Sequence, residues 1–267
     1  SWEVVSTPHT VELMPAEGSG CRNYQGPAWY RKHFVVPTAT KGQRVLLHFE
    51  AAMGKQVLYL NGKRVQEHLG GYLPFTLDLT ANGVQAGDSC LLAVYTDNSN
   101  DKSYPPGGIY RDVWMIAKSP VAITDAIDSR TVGGGGVFVH FDKISEKSAQ
   151  VYVETEIQND NTRSESVTIE TTLTDAEGNV IKRTSGKLSL NSGEKKSIRQ
   201  QMEVRNPKLW SPDAPYLYRV QSRIKKGNRS IDGGTTRIGI RLAEFRGKEG
   251  FWLNGKPFGQ LVGANRH

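Results

Sequence analysis

The chain has 267 residues, 37% hydrophobic and 23% charged, which is enough apolar content for a folded core and argues against disorder. No apolar run reaches the ~20 residues that a membrane-crossing helix needs, so a soluble chain with no membrane partner is expected. The net charge is +7, yet the densest basic pairs, Lys195-Lys196 and Lys225-Lys226, lie in strand-like contexts without a basic helical stripe or an RNA-binding aromatic signature, so nucleic acid is not an expected partner.

The predicted elements are strands almost throughout, because Val, Ile, Thr and aromatic residues alternate between Gly and Pro punctuation. Trp29 to Val36 forms one run, closed by Pro37, and Arg44 to Phe49 forms another. Val57 to Leu60 leads into Asn61-Gly62, a hairpin signal because both residues tolerate positive φ. Leu91 to Tyr95 and Val113 to Ile116 read as buried strands. Residues 1–120 are therefore expected to form one antiparallel sandwich of the jelly-roll kind.

A break over Ala117 to Pro120 precedes a second series. Val151 to Ile157 and Val167 to Thr171 alternate cleanly, with turns at Asp175 to Asn179 and Asn191 to Gly193, and Tyr216 to Ile224 and Thr235 to Ile240 follow. About seven strands over 121–242 fit an immunoglobulin-like β-sandwich, here without cysteine and so without an inter-sheet disulfide. In 243–267, Phe251 to Pro257 reads as a hairpin on Asn254-Gly255, and Gln260 to Gly263 begins what reads as a strand with no partner before His267, which suggests a truncated further domain. The fold class is all-β.

Several chemistries find no support. The run Gly133 to Gly136 lacks the Lys-Ser/Thr of a phosphate loop and is expected to be a turn. No His pair has metal-ligand spacing, and no Gly-x-Ser-x-Gly elbow occurs. Cys21 and Cys90 carry no metal motif or disulfide framework, and whether they pair stays open. With Ser1 in first place and no apolar signal segment after it, upstream removal is expected; the compartment is open, and periplasm or secretion would both fit. Asp112 beside Arg111 reads as half of a structural ion pair. Asp97-Asn98 opens a long polar loop after a buried strand, where a plain loop tip and a ligand contact are equally good readings.

Longer strings carry a resemblance. Gly26 to Phe34, Val57 to Lys63, His68 to Phe75 and Gly107 to Trp114 resemble, in this order, the sugar-binding domain of glycoside hydrolase family 2. Asn206 to Tyr218 is similar to the family's immunoglobulin-like segment, and Gly239-Ile240-Arg241, Phe251 to Pro257 and Gly263 to His267 resemble the entry to its barrel. The resemblance implies a non-catalytic N-terminal portion of a retaining exo-β-glycosidase, with β-galactosidase ahead of β-glucuronidase and β-mannosidase. It implies that both catalytic glutamates lie on a downstream (β/α)₈ barrel, so no residue between Ser1 and His267 is assigned a catalytic role. It further implies substrate contacts from Asp97, Asn98, Arg266 and His267. No cofactor is expected in this portion, with a sodium or magnesium ion compatible with the full-length enzyme. The implied partners are a β-galactoside or related carbohydrate and the chain's own barrel, in an enzyme that a homo-oligomer would also suit. The competing reading, from another class, is an independent carbohydrate-binding module or adhesin, which the jelly roll alone permits. Under the leading reading an apolar docking patch is expected on the surface.

Overall fold

The computed structural model describes residues 2–12, 24–100, 107–129 and 134–258. The chain divides into two compact units, Ser1–Pro120 and Val121–His267.

The first unit contains β1 (Pro27–Val35), β2 (Arg44–Phe49), β3 (Lys55–Leu60), β4 (Lys63–Leu69), β5 (Phe75–Asp78), β6 (Ser89–Asp97) and β7 (Val113–Lys118). They form two antiparallel sheets ordered β1-β6-β3-β4 and β5-β2-β7. The period-2 alternation of side chains sends Val45, Leu47 and Phe49 of β2 and Cys90, Leu92 and Val94 of β6 into one core with Leu58, Phe75 and Leu77. Each such side chain contributes roughly 1.5–3 kcal/mol through burial. Phe49 and Phe75 stack at 4.7 Å between centroids within this core. The β3–β4 turn is a two-residue loop with Asn61 at φ 51° and Gly62 at φ 82°, as the Asn-Gly signal demands.

The second unit contains β8 (Val121–Ile123), β9 (Val137–Asp142), β10 (Ser148–Asn159), β11 (Glu165–Thr174), β12 (Val180–Leu190), β13 (Lys195–Arg205), β14 (Tyr218–Lys226) and β15 (Arg229–Ile238). One sheet runs β13-β10-β8, with β9 also on β10, and the other β12-β11-β14-β15. β8 pairs with Ile157 to Asn159 and β9 with Gln150 to Thr155, so two short strands lie end to end along one edge of β10. That is why eight strands appear where about seven were expected. Across the sandwich, buried Thr171 of β11 donates its hydroxyl to Gln200 of β13 at 2.6 Å, a polar link between sheets in a unit that has no cysteine. A small sheet of β16 (Ala243–Phe245), β17 (Phe251–Leu253) and β18 (Lys256–Pro257) follows, its hairpin again turning on Asn254 and Gly255 at positive φ.

The architecture is all-β, a jelly-roll sandwich followed by an immunoglobulin-like one. Two expectations are adjusted. The break between units is narrower than Ala117 to Pro120, because β7 runs on to Lys118 and β8 starts at Val121. Arg111 and Asp112 make no ion pair; instead the Asp112 carbonyl accepts the Glu50 N–H at 3.0 Å. The strand expected at Gln260 to Gly263 lies outside the described residues. Cys90 is a buried free thiol, and Cys21 lies outside the described residues.

Candidate functional site

At one end of the first unit's larger sheet, four residues fall in one lateral row: Pro27, Asp97, Lys55 and Leu69. Asp97 is the last residue of β6 and is half-buried. Its carboxylate is tightly held. Oδ1 accepts the Ser99 N–H at 2.9 Å and the Ser99 hydroxyl at 2.5 Å, while Oδ2 accepts the Tyr95 hydroxyl at 2.8 Å. The hydrogen bonds from Ser99, side chain first and then backbone, hold its pKa below the usual carboxylate range, and they outweigh the opposing effect of burial. The same arrangement raises the Tyr95 phenol, chiefly because its proton is engaged by Asp97.

The Asp97 carboxylate is engaged by protein donors rather than mainly by water. The side chain closes an Asx turn onto Ser99, the local capping that Asp performs where a strand gives way to a loop. A carboxylate offers about four lone-pair directions. Three are used, and one on Oδ2 remains for an incoming donor.

Asn98 is turned inward. It is 2% exposed, and its amide is committed to the backbone: Oδ1 accepts the Gly26 N–H at 2.9 Å and Nδ2 donates to the Tyr24 carbonyl at 2.8 Å. It braces the residues before β1 against the end of β6. Gly54 completes the support. It sits at φ 78°, and a Cβ there would lie 2.0 Å from the Asp97 carbonyl oxygen and 2.8 Å from Asn98 Cα. Only glycine allows the β3 entry to pass so close.

The surrounding loops are tied to this frame. Met53 N–H donates to the Gly108 carbonyl at 3.0 Å, and the Tyr110 hydroxyl donates to the Gly71 carbonyl at 2.6 Å. Fully buried Met53 lies under Gly71, where a Cβ would meet its sulfur at 2.3 Å. Beyond Gly71, Tyr72 and Leu73 stand exposed, as does Leu69 in the Asp97 row. The expected apolar patch has candidates here. Arg266 and His267 lie outside the described residues. Among the described residues no three His, Cys, Asp or Glu side chains gather as metal ligands. One remaining Oδ2 direction on Asp97 does not make a sodium or magnesium shell, which takes about six oxygens.

In the second unit, Trp210 precedes β14 in a proline-rich segment. Its ring packs on Gly239, where a Cβ would meet the indole at 2.7 Å, and Arg241 stacks over it at 5.2 Å. The Trp210 backbone is pinned by the Ile240 carbonyl and by the Asn254 side chain. The indole is half-buried and packed, as a structural tryptophan should be.

Comparison with known proteins gives this frame its setting. Residues 7–120 match the sugar binding domain of glycosyl hydrolases family 2, and residues 135–241 match a second model of glycosyl hydrolases family 2. A beta-glucuronidase of Formosa agariphila is 34% identical over 281 residues, covering 96% of this chain and 28% of that relative. A beta-galactosidase of Thermoanaerobacter pseudethanolicus is 34% identical over 277 residues, covering 100% of this chain and 35% of that relative. Among solved structures, a beta-glucuronidase from glycoside hydrolase family 2 superposes with a TM-score of 0.84 at 32% identity, over 96% of this chain and 29% of that one. The chain thus spans about a third of the length of the curated relatives it matches. The two sandwiches and their matched residues correspond to the sugar-binding and immunoglobulin-like domains of that family. The chain belongs to glycosyl hydrolases family 2.

Proposed function

We propose that this chain is the non-catalytic front of a retaining exo-β-glycosidase that hydrolyses terminal β-galactosides, with the hydrolytic carboxylates on a barrel beyond His267. The observation that carries it is the state of Asp97: an anion with one open acceptor direction, at a sheet end surrounded by tied loops. Such a group accepts a hydrogen bond from a sugar hydroxyl. It cannot serve as the general acid, which in these enzymes is a carboxyl group with a raised pKa. Glu67, Glu165 and Asp175, the other described carboxylates with a displaced pKa, are displaced downward too, each chiefly by a side-chain hydrogen bond. No acid of the required kind is present among them.

The choice of galactoside rests on the overall resemblance to β-galactosidase-like members and on a relative named beta-galactosidase. A relative named beta-glucuronidase at the same identity favours a β-glucuronide as the second reading. The test compares this chain with the natural full-length protein on nitrophenyl β-galactoside and nitrophenyl β-glucuronide. The expected result is no turnover by the 267-residue chain and preferential galactoside hydrolysis by the longer protein. Turnover by the chain that survives repurification would overturn the division of labour. Hydrolysis of the glucuronide alone would overturn the sugar.

A further inference from the structure

The outer face of the first unit's larger sheet carries an aromatic cluster. Strand register builds it. Trp29 of β1 lies opposite Tyr95 of β6, and Arg31 opposite Ala93, which in turn faces Tyr59 of β3. Residues two apart share a face, so Trp29 and Arg31, Tyr95 and Asp97, and Lys55 and Tyr59 all point away from the core. The Trp29 ring lies 5.1 Å from Tyr95 and 5.7 Å from Tyr59, tilted by 59° and 37°. None of the rings stacks flat on another, and Trp29 remains 50% exposed.

The rim is charged. Asp97 lies along β6 from Tyr95, and Lys55 and Arg64 both pair with Glu67 on the β4 side. Arg31 stacks over Trp2 at 4.3 Å and pairs with no carboxylate among the described residues. We propose that this face binds the pyranose rings of an oligosaccharide chain, with Trp29 as the stacking platform and Arg31 as a hydrogen-bonding group on its rim.

Two physical arguments favour a sugar over a protein. A protein contact here would desolvate Arg31, Lys55, Arg64, Glu67 and Asp97 around the aromatic centre, whereas interface cores are depleted in charge. A sugar presents hydroxyls to those groups and its C–H face to the indole, so both halves of the surface are satisfied together. The rings sit on three adjacent strands, ~4.8 Å apart, so the cluster extends across the sheet as a strip rather than a pit. This surface would act in binding, not in turnover, and it is scored separately from hydrolysis.

The test is native electrophoresis of the chain through gels containing a soluble β-galactan, a β-mannan or a polygalacturonate. Retardation by at least one is expected, with the apparent affinity falling about fivefold to tenfold in Trp29→Ala, in keeping with the loss of one aromatic contact. Trp114→Ala, a half-exposed tryptophan on the other sheet, should behave as wild type. Hydroxyl-radical footprinting of the wild-type chain gives a readout that needs no variant: the bound polysaccharide should protect Trp29 and leave Trp114 unprotected. Absence of retardation in all three gels, or retardation that Trp29→Ala leaves unchanged, overturns the proposal. So does a change in self-association of Trp29→Ala without any change in sugar binding, which would make the face a contact between copies.

Discussion

Replacing Asn98 with alanine removes the brace that joins the residues before β1 to the end of β6. Two backbone groups lose their Asn98 partner there, the buried Gly26 N–H at 2.9 Å and the partly buried Tyr24 carbonyl at 2.8 Å. Leaving a buried donor or acceptor unsatisfied costs about 1–3 kcal/mol each, so the pair costs roughly 3 kcal/mol once some water enters. For a unit of this size about 4 °C accompanies each kcal/mol, giving a drop of roughly 12 °C in the transition of the first unit. Differential scanning calorimetry of the chain reads it directly. Asn98→Asp sharpens the test. Its carboxylate still accepts from Gly26, but it sets a negative charge against the Tyr24 carbonyl, so at pH 7 it should be at least as damaging as alanine. Below the carboxyl's pKa the protonated group can donate to that carbonyl, and its deficit relative to wild type should shrink as pH falls. If Asn98→Ala melts within about 2 °C of wild type, water replaces the amide without loss and the reasoning about the brace fails.

Three further outcomes are expected. Gly54→Ala should destabilise the first unit by about 2–5 kcal/mol, combining a left-handed backbone at φ 78° with a 2.0 Å approach to the Asp97 carbonyl, and urea denaturation would measure it. Asp97 has a depressed folded pKa, so its contribution is complete above the unfolded value near ~4 and is lost as pH falls through the folded value; the melting temperature of wild type should exceed that of Asp97→Ala at pH 7 and the gap should narrow on acidification below about pH 4. An equal gap at every pH would mean that the carboxylate's charge is irrelevant to the turn. Trp210→Ala should cost the second unit about 3 kcal/mol by leaving a cavity over Gly239, read as a shift in the chemical denaturation midpoint.

What was legible in the sequence follows from short-range physics. The alternation in Leu91 to Tyr95 and Val151 to Ile157 reports which face of a strand is buried, and Asn-Gly reports a positive-φ hairpin wherever it stands between apolar runs. Those signals need only neighbours. The role of Asn98 does not work that way, because its partners lie 72 and 74 residues upstream and no local pattern announces them. Asp97 was legible as a loop carboxylate, with a plain loop tip and a ligand contact in balance. What tipped its geometry toward the cap is Ser99, two residues on, a pairing that Asp at a strand end often makes. The extra strand in the second unit escaped notice because three residues, Val121 to Ile123, are too few to show a period. The outer aromatic face was half visible: the strand phase of Trp29-Tyr30-Arg31 is readable, but the convergence with Tyr59 and Tyr95 needs the order of strands in the sheet.

That short β8 strand matters for anyone cutting the molecule into pieces. The family match to the second sandwich starts at residue 135, beyond β8. A fragment begun there would strip Val121 and Ile123 from the cluster they form with Ile157 and Ile169, and would free the backbone of Ile157 to Asn159 along an unguarded sheet edge. A sticky, aggregation-prone product is what such a cut should yield. Beginning at Val121 instead keeps the edge sealed, so three residues that resemble a linker decide whether the second sandwich can be handled on its own.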